Sequence, residues 1–371
     1  MGGGCVKVVV AMSGGVDSSV TAALLVEQGH EVIGVHMKLH DAAPGSAVGR
    51  CCGHDDALDA RQVADDLGIP FYVMNLRDAF RAAVMDDLAD TYLRGATPNP
   101  CVQCNGVLKF RILLKRALAL GASHLATGHY ARVVQHDGRA ALARAVDRQK
   151  DQTYFLFPVT TAALDRTLFP LGGLTKQEVR GHARRLGLLT ADKAESQEIC
   201  FIPDDDHTRF VREHRPDAQG DGEIVDEDGH VLGHHDGYWR FTVGQRRGLR
   251  LALGVPAFVL RVEPDTRRVV VTTGANRLDH TGLVLRGQNW FDRPGSDEAV
   301  GVQVRHRGTV TPCRVGPGDK RAVVMFDAPV RAVAPGQAAV FYAGDRVLGG
   351  GWIARALGPA ELGAAEAEVA R

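Results

Sequence analysis

The chain has no excess charge of either sign: Lys+Arg and Asp+Glu both number 44 among 371 residues. A general basic coat for nucleic acid is thereby excluded, although a local basic groove is not. Aromatic residues make up only 6%. That is too few for an extended platform of stacked bases. No apolar run approaches the roughly 20 residues that span a bilayer. No charged-then-apolar leader precedes the first strand-like run, so the expectation is a cytoplasmic protein with no membrane partner. Repeats and long low-complexity segments are also missing. Cysteines are few and odd in number: Cys5, Cys51, Cys52, Cys101, Cys104, Cys200 and Cys313. A secreted disulfide framework is therefore not indicated, and catalytic, redox or metal roles stay open for some of them.

What is present is an ordinary globular composition, 45% hydrophobic and 24% charged, with length for two or three domains. Strand patterns at 6–12, 31–39, 71–76 and 124–128 alternate with helical patterns at 17–28, 55–67, 78–94 and 107–120. Such alternation predicts an α/β fold with a doubly wound parallel sheet. A hairpin is expected over 130–145, around His136-Asp137-Gly138. Thr175 to Glu178 reads as a capping box opening a helix to about residue 186. From about residue 205 the chain turns rich in Gly and Asp, with a hairpin at 223–232. Short strands at 282–285, 301–306, 321–326, 338–342 and 347–348 predict a small β-barrel or sandwich, and the Ala/Glu-rich tail 359–371 reads as frayed. Three domains are expected: 1–205, a small central 206–278, and a C-terminal β-barrel 279–371.

Residues 6–19, VKVVVAMSGGVDSS, place a Ser-Gly-Gly turn between a buried strand and a helix. Glycines let backbone N–H groups crowd an anion, and a helix start adds unpaired N–H groups and the positive dipole end. The loop is built for phosphate, although an ordinary strand-to-helix turn also uses Gly and Ser. It is not a GxxxxGK[ST] loop, because no Lys follows the glycines. It resembles the PP-loop of ATP pyrophosphatases, which implies a grip on the pyrophosphate of ATP while a substrate oxygen attacks the α-phosphate. Asp17 is expected to help hold the nucleotide–Mg²⁺ unit.

A second block, TPNPCVQCN at 97–105, rigidifies the approach to a Cys-x-x-Cys with two prolines. The helix pattern that follows places Cys104 near a helix N-terminus, where a thiol is more nucleophilic. Half of a zinc site and a redox disulfide are the alternatives. A Cys₄ site would need a second Cys-x-x-Cys, which is missing. A third block, ESQEICFIP at 195–203, carries Cys200, which alone reads equally as a buried core thiol. Cys51-Cys52 beside His54 and Asp55 read as a mobile loop, Cys5 and Cys313 as incidental, and His234-His235 as solvated. Arg246-Arg247 and Arg305/Arg307 are surface charge or phosphate contacts.

The ordered set of PP-loop, TPNPCVQCN, Gly128-His129-Tyr130, Lys150-Asp151-Gln152, SQEICF and Phe241-to-Gly248 resembles the tRNA-specific 2-thiouridylase family. The resemblance covers about 6–355. It implies adenylation of the C2 oxygen of a wobble uridine in tRNAs of the Lys, Glu and Gln type. A persulfide sulfur then replaces that oxygen, and a relay protein or a cysteine desulfurase supplies the sulfur. By resemblance, Ala11, Met12, Ser13, Gly14, Gly15, Val16, Asp17 and Ser18, with Met37 and Gly128, line the ATP site. Cys104 corresponds to the nucleophile and Cys200 to the persulfide carrier, a pair able to form a transient disulfide. Asn99, Pro100 and Cys101 correspond to the segment meeting the base. His129, Lys150, Asp151, Gln152, Arg305, His306 and Gln337 correspond to positions touching tRNA.

One departure stands out. Some relatives carry Asp where this chain has Cys101, and a thiol does not serve identically. Cys101, Cys104 and Cys200 together offer three thiolates to a [4Fe-4S] cluster, against persulfide chemistry without one. Two other readings compete: a PP-loop ligase of the argininosuccinate synthase type, and an RNA-binding redox sensor. Neither accounts for thiols and phosphate loop together.

Overall fold

The computed structural model describes residues 4–41, 54–194, 199–202, 204–295 and 298–369. Cys51 and Cys52, the His54 side chain, and Glu195 to Glu198 of the third block lie outside the described residues. The chain forms two compact units, the first comprising 1–85, 100–205 and 345–347, the second 86–99, 206–344 and 348–371.

The first unit is built on β1 (Lys7–Ala11), α1 (Val16–Glu27), β2 (Glu31–Lys38), α2 (His54–Asp66), β3 (Phe71–Asn75) and β4 (His124–Ala126). A hairpin, β5 (Ala131–His136) and β6 (Arg139–Arg144), precedes the short β7 (Thr167–Leu168). The sheet runs β3-β2-β1-β4-β7, every pairing parallel. Val8, Val9 and Val10 of β1 are wholly buried, as a central strand covered on both faces requires. Val20 and Ala23 of α1, Val63 and Ala64 of α2, and Val179 and Ala183 of the Lys176–Arg185 helix close the same core. The first strand therefore ends on the edge where open parallel sheets bind ligands.

Two expectations are corrected here. The helix predicted to start at 107 starts at Pro100, runs to Gln103 and continues through a wide, π-helical stretch, Cys104–Leu113, into Leu114–Ala119. Proline suits a first helical position because its missing N–H is not needed there. Cys104 therefore sits a turn inside the helix, and Cys101 is the cysteine at its start. The tail is not frayed: Leu362–Val369 is a helix whose Ala365 is buried against Val284, Val323 and Leu357.

In the second unit a four-stranded sheet orders as Phe258–Glu263, Arg268–Thr272, Gly222–Val225 and Val231–His235. The last two make the expected hairpin. Beyond it, Asp279–Trp290, Arg321–Arg331, Thr311–Val315, Val300–Gln303, Ala338–Ala343 and Arg346–Leu357 follow one another around a barrel. Antiparallel pairing of Asp279–Trp290 with Arg346–Leu357 closes it. Thr311–Val315 was not legible because Pro312 interrupts the alternation; in the barrel Pro312 lies opposite Gly301.

Candidate active site

The phosphate loop spans Met12 to Gly15, between β1 and α1. Gly14 has φ +78°, and a Cβ there would lie 2.2 Å from the Asp56 carbonyl oxygen. Only glycine fits. The serine hydroxyls turn inward: Ser13 N–H donates to Ser18 Oγ (3.1 Å), while Ser18 Oγ and Ser19 Oγ donate to Gly15 O (3.0 Å each). Gly128 packs on the start of α1, where a Cβ would meet Asp17 C at 2.9 Å and Ser18 N at 3.0 Å. At the end of β2 the His36 ring bonds the Met12 carbonyl at 3.0 Å. Burial holds His36 below its ordinary pKa, with partial compensation from that bond and from Asp56. Met12 of the loop and Met37 near the end of β2 are both buried, and Ala11 closes β1.

Two lysines flank the loop. Lys193 Nζ donates to Gly14 O (3.0 Å), Asp56 Oδ1 (2.7 Å) and Asp59 Oδ2 (2.5 Å). Burial opposes its charge, yet the hydrogen bonds to both aspartates raise its pKa above the ordinary lysine value. Lys176 Nζ donates to both carboxylate oxygens of Asp17, at 2.8 and 2.9 Å. Tyr130 OH donates to Asp17 Oδ1 at 2.9 Å, and the Lys176 ammonium lies over the Tyr130 ring at 5.7 Å. Neither lysine was found from sequence. Lys193 and Gly14 are 179 residues apart, and no local pattern marks such a partner.

Cys104 and Cys200 are half-buried, Cys101 is exposed and Cys313 is buried. Burial pushes the Cys313 thiol up to about 12, which makes it a core residue and not a nucleophile. Phe201, next to Cys200, packs edge-on against Phe80 with ring centroids 5.3 Å apart. The Arg77–Phe80 helix and the π turn Arg81–Met85 that continues it pack in turn on Cys104–Leu113. The two thiol-bearing segments thus share one neighbour. Among the described residues the only group of three donors within 4.8 Å is Asp226, Asp228 and His230. Among the described residues, Cys101, Cys104 and Cys200 do not make a second such group.

The residues expected at tRNA fall in varied settings. His129 is buried, its Nδ1 at 2.7 Å from Thr127 Oγ1 and its Nε2 receiving Lys109 Nζ at 3.3 Å. Burial first, and the Lys109 charge second, hold its pKa well below the ordinary value, so the ring is neutral. Asp151 accepts from Ala145 N–H (3.0 Å) and Thr153 Oγ1 (2.8 Å), and Gln152 Oε1 accepts from Tyr130 N–H (2.9 Å). Lys150 is half-buried beside them. Asn99 and Pro100 are buried. Gln337 Nε2 donates to the carbonyls of Thr97 (3.3 Å) and Pro98 (3.0 Å) within the second unit. Arg305 and His306 are exposed on a tight turn.

Comparison with known proteins fits this arrangement. Residues 6–204 match the tRNA methyl transferase HUP domain, 208–273 the tRNA methyl transferase PRC-barrel domain and 280–353 the aminomethyltransferase beta-barrel domain. The tRNA-specific 2-thiouridylase MnmA of Geotalea uraniireducens is 52% identical over 95% of this chain and 96% of its own. The chain belongs to the tRNA-specific 2-thiouridylase family. The MnmA of Rhodospirillum centenum is 53% identical, covering 94% of this chain and 92% of its own. Among solved structures, a 4-thiouridine synthetase–RNA complex with bound ATP is 18% identical, covering 57% of this chain and 51% of that chain, with a TM-score of 0.38. The domain descriptions speak of methyl transfer and the thiouridylase names of sulfur. A loop shaped for phosphate and two half-buried thiols within one compact unit suit the second chemistry.

Proposed function

We propose that this thiouridylase activates the C2 oxygen of the wobble uridine with ATP and replaces it with sulfur. The observation that carries the reading is one compact unit holding both halves of that chemistry: the loop at Met12 to Gly15, and the thiols Cys104 and Cys200. A urea-like carbonyl oxygen is a poor leaving group, and adenylation improves it. The oxygen attacks the α-phosphorus, pyrophosphate leaves, and the loop N–H groups hold the displaced anion. A persulfide on Cys200 then attacks C2 with its terminal sulfur, and AMP departs with the oxygen. The Cys104 thiolate attacks the Cys200 sulfur and breaks the sulfur–sulfur bond. Thiouridine is released, and a Cys104–Cys200 disulfide forms that an external thiol reduces.

ATP enters as its magnesium complex. The persulfide comes from a protein carrier, a relay protein or a cysteine desulfurase, and the acceptors are tRNAs of the Lys, Glu and Gln type. The site of action is the cytoplasm, where such tRNAs are matured. Asn99 to Cys101, His129, Lys150 to Gln152, Arg305, His306 and Gln337 serve tRNA, Asp151, Gln152 and Gln337 by shaping the backbone they bond. The three matched domain families support modules at 1–205, 206–278 and 279–371.

The test is incubation with ATP, Mg²⁺, a persulfide donor and tRNA, followed by nucleoside mass spectrometry. Sulfur gained at the wobble uridine, matched by released AMP and pyrophosphate, is expected. Pyrophosphate release without thiolated uridine would overturn the reading.

A further inference from the structure

A magnesium ligand needs carboxylate oxygens open to a small, strictly octahedral ion. Asp17, the acidic residue of the phosphate loop, does not offer them. One of its oxygens receives Lys176 Nζ at 2.8 Å and Tyr130 OH at 2.9 Å, and the other receives Lys176 Nζ at 2.9 Å. The lysine is well anchored. Its side chain is 12% exposed, its ammonium lies over a buried tyrosine ring, and its backbone N–H donates to Asp147 Oδ2 at 3.0 Å. It is also the first residue of a helix fixed by the Thr175–Glu178 capping box.

We propose that Asp17 is a holder for Lys176 and not a metal ligand, and that the Lys176 ammonium is the side-chain charge the loop presents to the pyrophosphate of ATP. This deepens the functional reading above and rests on it. An ammonium is a compact charge that exchanges readily between acceptors. The carboxylate keeps it in place over the first turn of α1 while the loop is empty. The polyphosphate carries more negative charge than one carboxylate, so it draws the ammonium toward itself when it arrives. Tyr130 stays behind as a donor to Asp17, which prevents a bare carboxylate from facing the phosphates. Asp17 thus acts through Lys176 as a positioning residue.

The experiment compares Lys176→Met, Lys176→Arg, Asp17→Asn and the Lys176→Met/Asp17→Asn double variant in the full chain. Affinity for MgATP is measured by calorimetry without tRNA, and pyrophosphate release with tRNA is measured across a Mg²⁺ titration. Lys176→Met is expected to weaken ATP binding about tenfold, the loss of one charge-assisted hydrogen bond. Asp17→Asn should weaken it by a similar factor at an unchanged Mg²⁺ requirement. The double variant should be no worse than Lys176→Met, as for groups acting as a unit, and Lys176→Arg should recover most of the affinity. An increased Mg²⁺ requirement in Asp17→Asn, with unchanged ATP affinity in Lys176→Met, would overturn the proposal and make Asp17 the metal ligand. Additive losses in the double variant would overturn it too. Circular dichroism checks each fold, with Lys176→Gln as a second neutral variant. The calorimetric arm needs no tRNA chemistry, so a wild-type chain that binds ATP without thiolating tRNA leaves this proposal tested while the functional reading fails.

Discussion

Gly14, Cys104 and His129 show what single residues decide. The expected roles of the two thiols separate cleanly from nucleotide binding, because neither cysteine lies in the loop. Replacing Cys104 or Cys200 by Ser should abolish 2-thiouridine formation while ATP affinity and tRNA retention on filters stay within about twofold. Full thiolation by either variant would end those assignments. His129 makes a different prediction. Its pKa is lowered in the fold by burial, as are those of His36, His124, His235 and His280. The unfolded chain then binds more protons than the folded one below the ordinary value of 6.5. Stability from these groups is complete above that pH and drains away as the pH falls through the folded values. Denaturant midpoints should therefore decline from about pH 7 to about pH 5, and His129→Gln should flatten the decline.

At the scale of elements, local chemistry explains which features were legible. The Thr175–Glu178 capping box was readable because both partners lie within four residues, and both of its hydrogen bonds are present. Thr175→Ala should cost about 1 kcal/mol of stability. It should also weaken ATP binding, since the cap fixes the helix that starts with Lys176; a calorimetric titration checks this. The start of the cysteine helix was misplaced because Pro98 and Pro100 were read only as stiffening the approach to the cysteines, when Pro100 instead begins the helix. The π-helical winding of Cys104–Leu113 left no trace in the sequence, because the extra residue per turn answers to tertiary packing. The ends of β1 and α1 were legible from the apolar run and the glycines, and with them the loop. Lys176 and Lys193 were not, because each reaches the loop from a distant part of the chain.

Across the whole chain, alternating strands and helices announced the parallel sheet, and the later rhythm of short strands announced the barrel. The tail was misjudged because Ala and Glu suit a frayed end as well as a helix. Its contribution comes from Ala365 and Leu362 against Val284, Val323 and Leu357, which only the closed barrel brings together. A chain ended after Gly358 should unfold at clearly lower denaturant. Glu368→Ala, which removes only exposed pairs to Arg321 and Arg355, should shift stability by less than about 1 kcal/mol. Equal losses in the two would mean that charge, and not apolar contact, anchors the helix.

The bond from Lys193 to the Gly14 carbonyl has one further effect. The C=O and N–H of a single peptide point in opposite directions. An ammonium that captures the Gly14 oxygen therefore swivels the Gly15 N–H outward, away from the lysine, and polarises it. Asp56 and Asp59 keep that ammonium from swinging away. The loop then resembles a compass needle clamped from behind: under the proposed function, a phosphate meets a donor whose direction the fold has already set, and capture need not wait for the backbone to turn.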